Sequence, residues 1–326
     1  MKYEIRTLGF CSIGWVALLA CGAAQAQGYP GKSIRLIVAG SPAGGADVLV
    51  RPLAQKLSES FGNQVVVENR AGGGGIPAAQ AFLSAVPDGY TMFFANSVNM
   101  SVAPALRSRL PYDPVRDFSP VTLFASTPLM VAVHPSLPVK SIKEMVALAK
   151  TRPKQILCAS NGEGTIQHLT IEMLNHAAGV SLLHVPYKGG TPAVIDTVGG
   201  QTQMIVTAVP TLLTQVRATR LRALAITGSQ RLSSVAEIPT VAESGFPGFE
   251  SVQWYGIFAH LKTPASVVEK WTVEARKAAE SPTVKSGITQ EGAQSAVNGP
   301  QALADFLRAD IAKWRKVVKE SRIVLE

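Results

Sequence analysis

Cysteine is scarce in this chain: three residues in 326. Cys11 and Cys21 fall in an N-terminal segment that reads as a leader, so Cys158 stands alone in the remainder of the chain and no internal disulfide can form there. Charged residues are also few, at 16% against 47% hydrophobic, so buried globular layers must hold the fold. Metal-ligand spacing is missing. The five histidines (His134, His168, His176, His184 and His260) include no HExxH, and none has a Cys or carboxylate at ligand spacing. Nucleophile signatures are missing too, because GxSxG is absent and Ser160 sits in Ala-Ser-Asn-Gly. Nucleotide motifs are incomplete. Gly31-Lys32-Ser33 has Ala26 where a Walker A motif needs its first glycine, and Gly162-x-Gly164-x-x-Gln167 ends one residue short of GxGxxG. The sequence therefore asks for no metal and no cofactor, and nothing in it supports catalysis, although a triad assembled across space stays open.

The first 26 residues have the grammar of a signal peptide. Lys2 and Arg6 precede a mostly apolar run over residues 8–20, and Ala24-Gln25-Ala26 offers a small-x-small cleavage site. That run is too short to span a membrane comfortably. Leu18-Leu19-Ala20-Cys21 resembles a lipobox, with Leu19 a poor fit, so a lipid on Cys21 is the alternative to cleavage after Ala26. Either route exports the chain, in a bacterium to the periplasm. The net charge of +9 does not signal nucleic acid. Its densest cluster, Lys313, Arg315, Lys316 and Lys319, lies on a helix patterned by Ala304, Leu307, Ile311, Trp314 and Val318 and reads as its solvated face. A monomer without nucleic-acid partners is expected.

Short apolar segments rich in β-branched residues recur at 34–39, 64–68, 90–95, 129–134, 155–159, 182–186, 203–207, 221–227 and 256–259. Segments of helical spacing separate most of them, which predicts α/β layers with mainly parallel sheets between helices. Ser141 with Glu144 forms a capping box, and Thr191-Pro192 and Thr263-Pro264 mark two further helix starts. Turn residues without periodicity cluster at 117–128 and 239–251, which are the expected linkers. The implied arrangement is discontinuous: one lobe from 29–124 and 248–326, a second from 125–247, and a ligand crevice at the strand C-termini between them. Trp254 and Tyr255 are expected to pack the hinge rather than touch ligand.

Three loops share one polarity, strand into glycine loop into helix start, which aims unpaired backbone N–H groups at a point where an anion can sit. The first contains Gly40, Ser41, Pro42, Ala43 and Gly44, with Asp47 placed to order it. The second runs from Ser160 through Asn161, Gly162, Glu163 and Gly164 to Thr165, with His168 one turn into the helix as its support. The third is Tyr187, Lys188, Gly189 and Gly190 before Thr191. Glycine loops also serve as plain βα turns, and it is the repetition that points to binding. Charge-assisted bonds to a carboxylate contribute about 1.5–3 kcal/mol each.

Ordered motifs then give a resemblance over essentially the whole mature chain. Tyr29-Pro30, Gly44 with Asp47 and Arg51, Val67-Glu68-Asn69-Arg70 before the glycine run, and Pro87-Asp88-Gly89-Tyr90-Thr91 belong to it. So do Tyr112-Asp113-Pro114, Asp117-Phe118, the 160–169 segment, Tyr187-Lys188-Gly189 and Pro239-Thr240-x-x-Glu243-x-Gly245. Together they resemble the Bug (TctC-type) family, extracytoplasmic solute receptors of tripartite tricarboxylate transport systems. The resemblance implies a two-lobed type II periplasmic-binding-protein fold that closes on a small organic carboxylate and delivers it to membrane permease subunits. It maps one pincer to residues 41–44 and the other to Ser160, Gly164 and Thr165 with residues 187–190. Asn96 and Ser97 belong to the same crevice, as do Thr207 and Ala208 at the end of a second-lobe strand.

Two departures from the family pattern bear on the ligand. Ala39-Gly40 replaces a frequent Pro-Phe or Pro-Tyr, leaving a gap for an aromatic or longer ligand. Thr207-Ala208-Val209 lacks the acidic or amide residue many members have there, which favours a carboxylate without an amino group. A sensor that binds the same class of acid, and a periplasmic α/β enzyme, are the rival readings.

Overall fold

The computed structural model describes residues 28–42, 44–321 and 323. The expected leader, its cleavage site at Ala26, the lipobox at Cys21 and Ala43 of the first loop lie outside the described residues.

The chain begins with a βα alternation. β1 (Ile34–Val38), α1 (Gly45–Phe61), β2 (Val65–Asn69), α2 (Ile76–Leu83) and β3 (Thr91–Asn96) lead into a π-helical turn, Val98–Val102, and the short α3 (Ala103–Leu106). β1 pairs parallel with β2 on one side and β3 on the other. Strand alternation sorts the core onto two faces. Ile34, Leu36, Val38, Met92 and Phe94 meet α1 and the later helix α8 (Ala265–Glu280) in one cluster. Ile37, Phe93 and Ala95 point the other way, toward Phe82 of α2 and the C-terminal part of the chain. Burying each of these large side chains contributes about 1.5–3 kcal/mol.

β4 (Phe118–Val133) corrects the expected linker over 117–128. It is one continuous 16-residue strand. Pro120 marks a ladder irregularity instead of a loop, with the register shifting between Pro120 and Thr122 and again between Leu123 and Ala125, while Pro128 stays in register opposite Val252. Prolines and extra residues are tolerated in a strand at such bulges.

The part of β4 from Phe118 to Pro128 pairs antiparallel with β9 (Val252–His260), which returns to β3. The part from Leu129 to Val133 pairs with β7 (Met204–Ala208) and β8 (Arg222–Ile226). β4 thus belongs to two sheets at once. The second sheet is built after α4 (Ile142–Thr151) from β5 (Leu157–Ser160), α5 (Ile166–Ala178), β6 (Leu183–Pro186), α6 (Gly190–Val198), β7, α7 (Val209–Arg217) and β8. β5 runs parallel to both β6 and β7.

Where the chain crosses back, a buried hydroxyl relay joins the two sheets. Thr227 Oγ1 accepts the Leu129 N–H at 2.8 Å and donates to the Ser251 carbonyl at 2.5 Å. Ser251 Oγ in turn lies 2.5 Å from Thr170 Oγ1 on α5. α9 (Pro282–Gln290), β10 (Gln294–Ser295) and α10 (Pro300–Ser321) complete the chain after α8. Leu303, Leu307 and Ile311 of α10 enter the core of the first sheet, while Trp314 and Val317 enter that of the second. One helix therefore straps both sheets.

Candidate functional site

The loop after β1 is shaped by its own backbone. Gly40 N–H donates to the Val38 carbonyl at 3.0 Å, Gly44 N–H to the Ser41 carbonyl at 3.1 Å, and Gly44 opens α1 without a side-chain cap. Ser41 and Pro42 are exposed. The Asp47 and Val48 N–H groups donate to the Gly44 carbonyl, which leaves those of Gly45 and Ala46 without an intrahelical acceptor in this helix that has no side-chain cap. Asn96, at the end of β3, fixes this loop from the side: its Nδ2 donates to the Ala39 carbonyl at 2.9 Å, while its Oδ1 accepts the Val98 N–H at 2.9 Å. Ser97 follows, fully buried, with Oγ unpartnered among the described residues. The structure therefore sets Asn96 against the Ala39 carbonyl, next to Gly40.

Loop two and loop three form one unit, joined because β5 pairs with β6. Tyr187 N–H donates to the Ser160 carbonyl at 3.2 Å, and Gly189 N–H to the Asn161 carbonyl at 3.0 Å. The Thr207 hydroxyl, at the end of β7, donates to Asn161 Oδ1 at 2.8 Å. Gly190 packs so closely on this pair that an added Cβ would stand 3.3 Å from Asn161 Oδ1 and 3.4 Å from Thr207 Oγ1. Gly162, at φ 139° and with such a Cβ 3.0 Å from the Tyr187 carbonyl, can only be glycine. The Tyr187 hydroxyl is anchored on Asp196 at 2.9 Å, Lys188 is exposed, and Ala208 caps α7.

Several groups expected to face a ligand are engaged inside the loop. The Thr165 hydroxyl donates to the Gly162 carbonyl at 2.7 Å and accepts the His168 N–H at 3.4 Å, so it works as the N-cap of α5. The Gly164 N–H donates to His168 Nδ1 at 3.1 Å, which gives His168 the supporting role expected of it. Ser160 Oγ is buried and lies 2.6 Å from His184 Nε2. His184 is legible in the sequence only as a strand residue; its place follows from the pairing of Cys158 with His184 across β5 and β6. Burial lowers the pKa of both imidazoles to about 4, with the charge of His168 adding to the effect on His184. Two neutral rings thus brace the loop from below.

What remains open toward solvent is a set of donors. Asn161 Nδ2 has no acceptor among the described residues, and the N–H groups of Gly190 and Thr191, which open α6 before Pro192, have none within the helix. Donors of this kind suit an anion without requiring an arginine.

One polar group near loop one lies outside the expected residues. Glu291, in the turn after α9, places Oε2 3.0 Å from the Cβ position of Gly45, and the Tyr255 hydroxyl stands 3.2 Å from the same point. The next residue, Gly292, packs so closely on Pro210, at the start of α7 just beyond Thr207 and Ala208, that an added Cβ would stand 3.0 Å from its ring. The dipeptide 291–292 therefore lies between the end of loop one and the end of β7. Trp254 packs in the core and donates to Asp310 at 2.7 Å, and Tyr255 stacks on Phe94 with centroids 5.9 Å apart. A separate cavity of about 770 Å³, lined by Arg107, Arg116, Arg308 and Arg315, contains none of the expected binding residues.

A family model described as "Tripartite tricarboxylate transporter family receptor" matches residues 49–323. A protein from Pseudomonas sp. (strain P51), described only by its intergenic position, is 38% identical over 302 residues, covering 92% of this chain and 90% of that one. A solved R. palustris structure with adipate is 30% identical and superposes with a TM-score of 0.78 over 91% of this chain and 99% of the other. A second, from Rhodopseudomonas palustris with bound malate, is 27% identical, with a TM-score of 0.73 over 89% of this chain and all of that one. With the family model matched over most of its length, the chain belongs to the tripartite tricarboxylate transporter family of receptors.

Proposed function

We propose that this receptor captures a small organic carboxylate between two lobes and delivers it, as an exported monomer, to the membrane permease of a tripartite tricarboxylate-type transporter. The observation that carries the reading is the fixed Asn161 amide. Thr207 holds its oxygen at 2.8 Å, so its Nδ2 donors stand beside the start of α6, where further N–H groups converge. Loop one, ordered by Asn96, supplies the opposing donors at α1. The adipate and malate complexes of related receptors support a carboxylate as the class of ligand.

The lobes are assigned to 29–124 with 248–326, and to 125–247. The division of β4 between two sheets supports this, and the strap of α10 gives closure a restoring contact. Ligand stabilises the closed form through contacts made to both jaws at once. Residues 1–26 direct export, with cleavage after Ala26 and a lipid on Cys21 as the alternative. The test is mass spectrometry of small molecules released on denaturing the natively purified protein. An organic acid at near-stoichiometric amount supports the reading; a different class, such as a sugar or a peptide, refutes it.

A further inference from the structure

The niche beside Gly45 has a donor and an acceptor of its own. Gln253 Nε2 already donates to the Tyr255 oxygen at 2.7 Å, so what the phenol still offers is its proton. Burial, with the nearby Glu291 charge, raises the Tyr255 pKa, which keeps that proton on the oxygen. Glu291 is half-buried and makes no side-chain hydrogen bond or ion pair among the described residues, and burial alone raises its pKa. A half-buried carboxylate without a donor is costly unless something completes it. A Cβ at Gly45 would stand only 3.0 Å from Glu291 Oε2 and 3.2 Å from the Tyr255 hydroxyl, so glycine is what lets both groups approach the backbone at the start of α1, directly after loop one.

We infer that Glu291 and Tyr255 form a hydroxyl-recognising subsite, making the preferred ligand a 2-hydroxycarboxylate. The inference rests on the carboxylate reading above. A ligand hydroxyl both accepts and donates: it takes the Tyr255 proton in one hydrogen bond and gives its own to Glu291 in another. An ammonium group only donates, so it would satisfy Glu291 but oppose the Tyr255 O–H. A plain methylene would leave both groups unpaired. Position follows from chain geometry, because the niche adjoins the first turn of α1 and so selects the carbon next to the carboxylate that loop one holds. The acidic residue missing at Thr207-Ala208-Val209 is thus supplied from a segment more than 80 residues away in sequence.

Titration calorimetry on the ligand-stripped protein tests this with matched probes: lactate and propionate, malate and succinate, 2-hydroxyglutarate and glutarate, and 2-hydroxyadipate and adipate. Aspartate, glutamate and 2-aminoadipate serve as the amino counterparts. At the chain length bound best, the hydroxy acid should exceed both its deoxy and amino partners by about tenfold, the worth of one well-placed hydrogen bond. Glu291→Ala and Tyr255→Phe should each bring that ratio to within about twofold while the deoxy acid binds as before, which also shows that the variants are folded. Equal binding of hydroxy and deoxy acids by the unaltered protein overturns the subsite alone. So does a preference that survives both substitutions. Failure of every carboxylate to bind overturns the carboxylate reading together with the subsite.

Discussion

His168 and His184 lie face to face, with ring centroids 3.8 Å apart and planes within 6° of parallel. One accepts the Gly164 N–H on Nδ1, and the other meets Ser160 Oγ through Nε2. The loop from Ser160 to Thr165 therefore stands on two imidazoles that favour the uncharged form, since a proton on His168 Nδ1 removes an acceptor and places charge against its neighbour.

A pH dependence arises from that pair. The unfolded chain protonates these histidines near 6.5, whereas the fold holds them near 4. Between those values the unfolded state binds more protons, so stability is unaffected above pH 7 and falls as pH drops from about 6.5 toward 4. Carboxylates titrate in part of the same window, so the informative quantity is the difference between proteins. Thermal unfolding followed from pH 7.5 to 4.5 should show a shallower loss for His184→Phe than for the unaltered protein. Parallel curves would remove the stacked pair from the explanation.

Thr165 acts on the ligand through the shape of the loop. Thr165→Ala deletes the cap of α5 and the hydroxyl bond to the Gly162 carbonyl, and should lower stability by about 1 kcal/mol. It should also weaken ligand binding, because Gly162 turns directly beneath Tyr187. Denaturant melts paired with binding isotherms check both effects; an unchanged isotherm would separate the loop from the ligand.

The crossing between sheets depends on Thr227. Thr227→Val keeps the volume but leaves the Leu129 N–H and the Ser251 carbonyl without this partner. Urea unfolding should show a loss of about 1–3 kcal/mol, the cost of an unsatisfied buried group. A variant as stable as its parent would mean that the relay is compensated elsewhere.

The strap of α10 makes a comparable prediction. Trp314, fully buried against the second sheet's core, should cost about 3–5 kcal/mol when replaced by alanine. A loss under about 1 kcal/mol, well below the range for a buried tryptophan, would show that the end of α10 is dispensable.

The parts of this fold legible in the sequence are those with local causes. β1, β3 and β7 announce themselves as apolar runs ending in glycine or polar loops, and Ser141 with Glu144 caps α4 as the spacing requires. β4 is not legible over its first half because Pro120 and Pro128 look like turn residues, and only pairing with β9 shows that Pro120 borders a bulge and that Pro128 ends the stretch paired in register with β9. His184 and Glu291 escape for another reason. Each acquires its neighbours through long-range topology, His184 by the register of β5 with β6 and Glu291 by the return of the chain after α9. No spacing rule places residue 291 beside residue 45.

The central claim is that a carboxylate is held by donors that Asn161 organises. Its most direct test is calorimetric titration of the stripped protein and of Asn161→Ala with the organic acid bound best. One ligand per chain is predicted, with affinity reduced about 10- to 100-fold in the variant, the cost of one charge-assisted hydrogen bond. Stability should fall by about 1–3 kcal/mol, since the buried Thr207 hydroxyl loses its acceptor, so affinity is compared at a temperature where both proteins are folded. Undiminished affinity in a folded Asn161→Ala protein would contradict the account.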